Sequence, residues 1–147
     1  MMIKMEEVEK IEAPESEMEL QNVVSHKIKD RDLVLLVRMA NAGVEIGITL
    51  LSKGVMISGL LVSGKSYYED CVKKMSAAGS TGQGISEYFS QAQELYEPSE
   101  DKEIPLNFLH LKDAVILTGQ NRTSYNGAIF RIKIEEIDGF FIGNIQA

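Results

Sequence analysis

The sequence is poor in cysteine, histidine and tryptophan. Its 147 residues include one cysteine, two histidines and no tryptophan. A single cysteine excludes a disulfide within the chain and argues against a cysteine-based metal site. The two histidines, His26 and His110, lack the spacing of a metal site, and no nucleophile elbow, zinc-protease signature or calcium loop is present. We therefore expect a protein that is not an enzyme, with no catalytic residue, cofactor or metal.

Long apolar runs are also missing. No stretch approaches the roughly 20 apolar residues that a membrane helix requires, and the first twenty residues lack the apolar core of a secretory signal. Hydrophobic residues make up 44% and charged residues 25%, an ordinary globular composition. These features predict a cytoplasmic protein without a membrane partner.

Positive charge is scarce at one end of the chain. The net charge is −7, and residues 1–22 contain seven Glu and two Lys, whereas the remainder is nearly neutral. Such an acidic segment repels a phosphate backbone, so we expect no nucleic-acid partner. We interpret residues 1–29 as an acidic, flexible arm and residues 30–147 as a single globular domain.

The first part of this domain predicts one helix and one hairpin. Asp30 or Asp32 can cap a helix that ends near Gly43. Residues 44–51 alternate between apolar and other residues, as in a half-buried strand, and residues 55–62 form the returning strand after a tight turn. Gly59 inside this second strand indicates a bulge or sharp bend.

A helical insertion is predicted at about residues 66–97. Its first helix is expected to start at Ser66, with Glu69 completing a capping box. After a polar connector the chain returns to strands. Asn126-Gly127 predicts a turn within a loop. Asp138-Gly139 predicts a hairpin between the strand before it and the segment FFIGNI.

The predicted fold class is therefore α+β and mostly β. The element order favours a small, strongly bent antiparallel sheet or barrel, with an N-terminal helix and a helical insertion. A helix followed by five short strands is similar to Sm-like barrels, and more generally to Sm/SH3-like folds.

The stretch GLLVSGKS, residues 59–66, fits the phosphate-loop pattern of nucleotide-binding proteins. A phosphate loop needs a curled backbone, but residues 60–62 are bulky, apolar and continuous with a strand. No aspartate ends the apolar strand AVILTG to hold a magnesium ion. We interpret the match as chance and expect no cofactor at Gly59, Gly64, Lys65 and Ser66.

Surface contacts are the remaining candidates for function. His110 alternates with two leucines and is expected to face solvent from its strand. Arg131 and Lys133 share one face of a strand, and two aromatic pairs each offer an outward ring. The candidate partner-contact residues are Tyr67, Tyr68, Arg131, Lys133, Phe140 and Phe141.

Three stretches together resemble the gas vesicle accessory protein GvpU family. They are MANAGVEIGITLLSKGVMISGLLVSGKSYYED, FLHLKDAVIL and IFRIKIEEIDGFFIGNI. The similarity covers roughly residues 32–144, interrupted at 73–104. It implies a non-enzymatic role in how gas vesicles assemble or cluster, through self-association as a homo-oligomer and contact with gas vesicle proteins. The alternatives are an Sm-like nucleic-acid-binding module and a small-ligand-binding module.

Overall fold

The computed structural model describes residues 27–145. Within them the chain forms three α-helices, five β-strands and one short 3₁₀ turn. Residues 1–26 of the predicted acidic arm lie outside the described residues. In chain order the elements are α1 (Arg31–Asn41), β1 (Ile46–Ser52), β2 (Val55–Val62), α2 (Gly64–Ser76), α3 (Ser80–Glu94), β3 (Phe108–Thr118), β4 (Asn121–Lys133), the 3₁₀ turn (Ile134–Glu136) and β5 (Gly139–Ile142).

The N-terminal helix begins after Asp30, which is one of its two predicted N-cap residues. The side chain of Asp30 accepts hydrogen bonds from the backbone N–H groups of Asp32 at 2.8 Å and Leu33 at 3.1 Å, which satisfies two helix donors that otherwise lack partners. One face of α1 is buried against one face of the sheet. The buried core residues on these elements are Leu33, Val37, Ala40, Ile48, Leu50, Leu61, Leu109, Leu111, Ala114 and Ile134.

The five strands form one antiparallel sheet in the order β4-β3-β2-β1-β5. The predicted α+β fold, an antiparallel sheet with an N-terminal helix and a helical insertion, is confirmed. The sheet is open and not a closed barrel, because β4 pairs with β3 and β5 pairs with β1, and these two edge strands do not pair with each other. Helix and strand contents are about equal, because the three helices span 39 residues and the five strands span 43.

The predicted bulge at Gly59 is present. The pairing of β2 with β3 shifts register between Ser58 and Leu60. A Cβ at Gly59 would lie 2.9 Å from the backbone oxygen of Lys112 and from the side chain of Leu111. Only glycine allows the two strands to approach this closely.

The predicted loop at Asn126-Gly127 is wrong, because β4 runs through it. The turn between β3 and β4 lies earlier, at Gly119, which has a φ of 58°. Gly127 instead sits opposite an irregularity at Asp113, whose carboxylate accepts a hydrogen bond from the Gly127 N–H at 2.7 Å. The Asn-Gly pair therefore lies at a bulge between β3 and β4 and not in a loop.

The predicted hairpin at Asp138-Gly139 is also wrong. The chain leaves β4 through the 3₁₀ turn, and the N–H of Asp138 then donates to the carbonyl of Leu51 at 2.8 Å. This contact directs β5 onto β1 instead of β4. The physical reason is that the turn between β1 and β2 holds the start of β5, since the N–H of Lys53 also donates to the carboxylate of Asp138 at 2.7 Å.

The insertion begins three residues earlier than its capping pattern predicts. Ser63, not Ser66, is the N-cap of α2, and its hydroxyl accepts a hydrogen bond from the Ser66 N–H at 3.0 Å. The helices α2 and α3 then pack against each other as a hairpin. Ser86 on α3 joins this contact, with its hydroxyl 2.8 Å from that of Ser76 on α2.

Candidate interaction surfaces

The phosphate-loop match spans a strand and a helix start. Gly59 and the three residues after it lie in β2, so their backbone N–H groups belong to the sheet. The N–H of Gly64 donates to the side chain of Asn41 at 3.0 Å. The ammonium of Lys65 pairs with Glu97 at 3.3 Å. The arrangement therefore lacks the curled cradle of N–H groups that phosphate binding requires.

Three of the predicted contact residues meet in one cluster. The guanidinium of Arg131 lies 3.8 Å from the ring centre of Phe108, 5.4 Å from that of Tyr68 and 5.8 Å from that of Tyr67. Its Nη1 lies 3.4 Å from the hydroxyl of Tyr96. These distances fit cation–π contacts. The cluster joins β3 and β4 to the helical insertion, so its geometry serves packing between these elements.

His110 belongs to the same cluster, and the expectation of a solvent-facing histidine is wrong. Its side chain does point away from the leucines on either side, but that face is covered by α2 and the segment after α3, leaving 1% of the residue exposed. The ring of Tyr67 lies 4.9 Å away, centre to centre. Burial, followed by the nearby charge of Arg131, lowers the pKa of His110 to about 3. The imidazole is therefore neutral at physiological pH.

The other three predicted contact residues lie apart from this cluster. Lys133 is exposed at the end of β4, and Phe140 is partly buried against the core. Phe141 faces the opposite side of β5 and is 49% exposed. The structure thus places Tyr67, Tyr68 and Arg131 in one partly buried cluster, Lys133 at the end of β4, and Phe140 and Phe141 on β5.

An exposed apolar surface surrounds β5. We call it the β5 patch, and it consists of Leu51, Phe141 and Ile142, which are 41%, 49% and 68% exposed. A shallow, mostly apolar cleft of about 250 Å³ lies beside it, between Met56 on β2 and Gly139 on β5. Ile142 was not among the predicted contact residues. In the sequence, only the apolar run Phe140–Ile142 pointed to this residue. Such a run is equally typical of a buried strand, so it did not predict exposure.

Two further features are absent from the described residues. Within residues 27–145, no group of three or more His, Cys, Asp or Glu side chains is arranged to hold a metal ion. In the same range, no helix is both long enough and apolar enough to cross a membrane.

Comparison with known proteins identifies the class. All the helices and strands described above lie within the range that matches a known family. Residues 30–145 match the family described as gas vesicle protein GvpU-like, and the chain belongs to this family. No curated protein and no solved structure matches the chain.

Proposed function

We propose that this protein is a non-enzymatic accessory protein of gas vesicles, which influences their assembly or clustering through self-association and contact with gas vesicle proteins. Its membership of the GvpU-like family supports the association with gas vesicles. The single structural observation that supports self-association is an open sheet with an exposed apolar patch at one edge. The proposed location is the cytoplasm, in part on the vesicles, with neither a membrane nor nucleic acid as partner.

The β5 patch is suited to contact with another protein. Leu51 and Phe141 lie on one face of the sheet and Ile142 lies on the other, so exposed apolar side chains flank the β5 edge, where an incoming chain also meets backbone groups. Burying such surface contributes about 25 cal/mol per Å². Aromatic side chains such as Phe141 are enriched in the centres of protein interfaces. The patch therefore offers both apolar area and backbone hydrogen bonds to one partner.

The two sheet edges provide a route to self-association. Within residues 27–145, β5 pairs only with β1, and β4 pairs only with β3, so each has one unpaired side. An unpaired strand side is a template for another strand. Because β4 and β5 are different surfaces, pairing β4 of one copy with β5 of the next is heterologous, and it produces either a ring or an extended chain of copies.

Self-association would also explain clustering. A single copy with one weak vesicle contact cannot hold two vesicles together. An oligomer carries many copies of the same contact, and once one is engaged the others act at a raised effective concentration. Weak contacts then suffice to join neighbouring vesicles.

The test is flotation with purified gas vesicles. The full chain is mixed with vesicles and centrifuged at low speed, with excess ATP and magnesium in one parallel tube and RNA in another. We expect the protein in the floating layer, unchanged by either addition. Protein that stays below the vesicles would contradict the proposal. Release by RNA would favour the nucleic-acid-binding alternative, and release by ATP would favour the small-ligand alternative.

A matched pair of variants tests whether vesicle clustering depends on the β5 patch. Ile142→Lys places a charge in the β5 patch, and Tyr88→Lys places the same charge on α3, where Tyr88 is 66% exposed. We expect Ile142→Lys to reduce vesicle clustering, scored by light microscopy, and Tyr88→Lys to leave it unchanged. Equal effects of the two variants would show that charge alone, and not the β5 edge, is responsible.

A further inference from the structure

A second concave surface is formed by elements other than β5. It is a cleft of about 330 Å³ between the C-terminal end of α1 and the connector that leads from α3 to β3. Arg38 and Asn41 line it from the helix, and Lys102, Ile104 and Leu106 line it from the connector. Ordinary small-molecule sites occupy about 300–1,000 Å³. The cleft is therefore at the small end of that range.

One buried donor in this cleft has no hydrogen-bond partner among the described residues. Asn41 is 5% exposed, and its Oδ1 accepts a hydrogen bond from the N–H of Gly64 at 3.0 Å. Because a backbone N–H only donates, this bond fixes which way the amide is turned. The Nδ2 of Asn41 is then left without any hydrogen-bond partner among the described residues. A buried donor that is left unsatisfied destabilises the fold, so it calls for an explanation.

The charges around the cleft favour an anion. Among residues 27–145, Arg38 forms no ion pair. The ammonium of Lys102 donates to the backbone carbonyl of Glu94 and forms no ion pair with a carboxylate of the described residues. Glu103 is the one acidic residue of the lining, so the lining side chains carry more positive than negative charge.

We propose that this cleft binds a small ligand through a carboxylate group. One carboxylate oxygen accepts a hydrogen bond from Nδ2 of Asn41, and Arg38 and Lys102 balance the charge. The side chains of Ile104 and Leu106 contact the ligand's carbon chain. A carboxylate fits better than a neutral acceptor, because hydrogen bonds between ionised groups are about twice as strong as neutral ones.

The carboxylate has two possible sources with the same chemistry. One is a free short-chain acid. The other is a glutamate side chain from residues 1–22 of this chain, which contain seven Glu. A tethered side chain acts at a high effective concentration, so it would compete with a free acid for the same donor.

The experiment titrates the ¹⁵N-labelled full chain with glutarate, followed by the side-chain amide resonances of Asn41 and by calorimetry. Sodium chloride and sodium sulfate at equal ionic strength are the controls. We expect a saturable shift of the Asn41 resonances with glutarate only. An equal shift with sulfate would overturn the assignment of a carboxylate.

Three variants locate the ligand. Asn41→Asp keeps the acceptor for Gly64 and removes the free donor, so glutarate affinity should fall about tenfold or more. The double variant Arg38→Gln, Lys102→Gln should weaken binding similarly and serves if Asn41→Asp does not fold. Arg31→Gln, on the same helix with its side chain 93% exposed, is the control and should bind as the unchanged chain does. Unaltered affinity in the double variant would overturn the proposal.

A fourth variant separates the two sources. In the full chain, all seven Glu of residues 1–22 are replaced by Gln. If the chain's own carboxylates fill the cleft, this change should shift the Asn41 resonances without added ligand and strengthen glutarate binding. If a free acid is the ligand, the titration should be unchanged. Absence of saturable binding in both forms would overturn the proposal.

Discussion

Nε2 of His110 lies 3.0 Å from Nη1 of Arg131. A guanidinium has no acceptor, so the imidazole must accept this hydrogen bond through Nε2 and carry its proton on Nδ1. The pair joins β3 to β4 and is surrounded by aromatic rings. Protonation of His110 would place two positive groups in contact, which is why burial and Arg131 together lower its pKa to about 3.

We predict that the protein loses stability as the pH falls below about 6.5. In the folded state His110 stays neutral down to about pH 3, whereas in the unfolded chain it takes up a proton near 6.5. The unfolded state therefore binds more protons between these values, and the free energy of unfolding should fall by up to about 1.4 kcal/mol per pH unit. Urea unfolding at pH 7.0, 6.0 and 5.0 measures this slope.

The matched variant for this prediction is His110→Gln, which keeps an acceptor for Arg131 and cannot titrate. Between pH 6.5 and 5.0 its stability should be nearly constant, because carboxylates titrate mainly below that window. A slope equal to that of the unchanged chain would show that His110 is not the group responsible.

Gly64→Ala should destabilise the protein strongly. A Cβ at this position would lie 2.2 Å from Cδ1 of Tyr96, so either the ring or the start of α2 must move. We expect a loss of about 1–3 kcal/mol in the free energy of unfolding. The control Gly84→Ala, in α3 with open space around it, should stabilise by about 1 kcal/mol. Excess ATP should not change either value, since Gly64 contacts a ring and not a phosphate.

Ser58→Ala should loosen the end of the described chain. The Ser58 hydroxyl accepts a hydrogen bond from the N–H of Ile145, and the neighbouring hydroxyl of Thr49 donates to the carbonyl of Gly143 at 2.8 Å. Removing the acceptor leaves the N–H of Ile145 unpaired, at a cost of about 1–3 kcal/mol. Hydrogen exchange at Ile145 should accelerate. The exposed control Ser99→Ala should change stability by less than about 0.5 kcal/mol.

Self-association should depend on the edge at β5. Lysine in an edge strand opposes pairing with another chain, so Ile142→Lys should lower the average mass measured by light scattering over a concentration series. The fold should persist, because Ile142 is 68% exposed and outside the core. Tyr88→Lys should retain the mass of the unchanged chain. A mass that is identical in all three proteins would argue against assembly through β5.

The sequence predicted those elements whose structure depends only on residues close together in the chain. The N-cap at Asp30 and the strand at residues 55–62 both formed as predicted, since a cap and an alternating pattern depend only on residues within one element. The bulge at Gly59 was predicted for the same reason. The hairpin at Asp138-Gly139 failed because turn preference does not decide which strand the following segment pairs with.

The grouping of the candidate contact residues could not be predicted from the sequence. Tyr67, Tyr68 and Arg131 suggested surface contacts because aromatic and basic residues are common in interfaces, but α2 folds back over β3 and β4 and brings them together. No spacing in the sequence relates position 67 to position 131. The unpartnered Nδ2 of Asn41 was equally invisible, since it results from one contact with Gly64.

The sequence by itself determined the α+β composition, the capping of the first helix, the alternation of most strands and the acidic character of residues 1–22. These depend on backbone preferences and apolar spacing, which act over a few residues. Only the tertiary structure decided that the sheet stays open, that His110 is buried against Arg131 and that Ile142 lies exposed at an edge. Those features depend on which distant surfaces meet, and packing selects among arrangements that share the same local pattern.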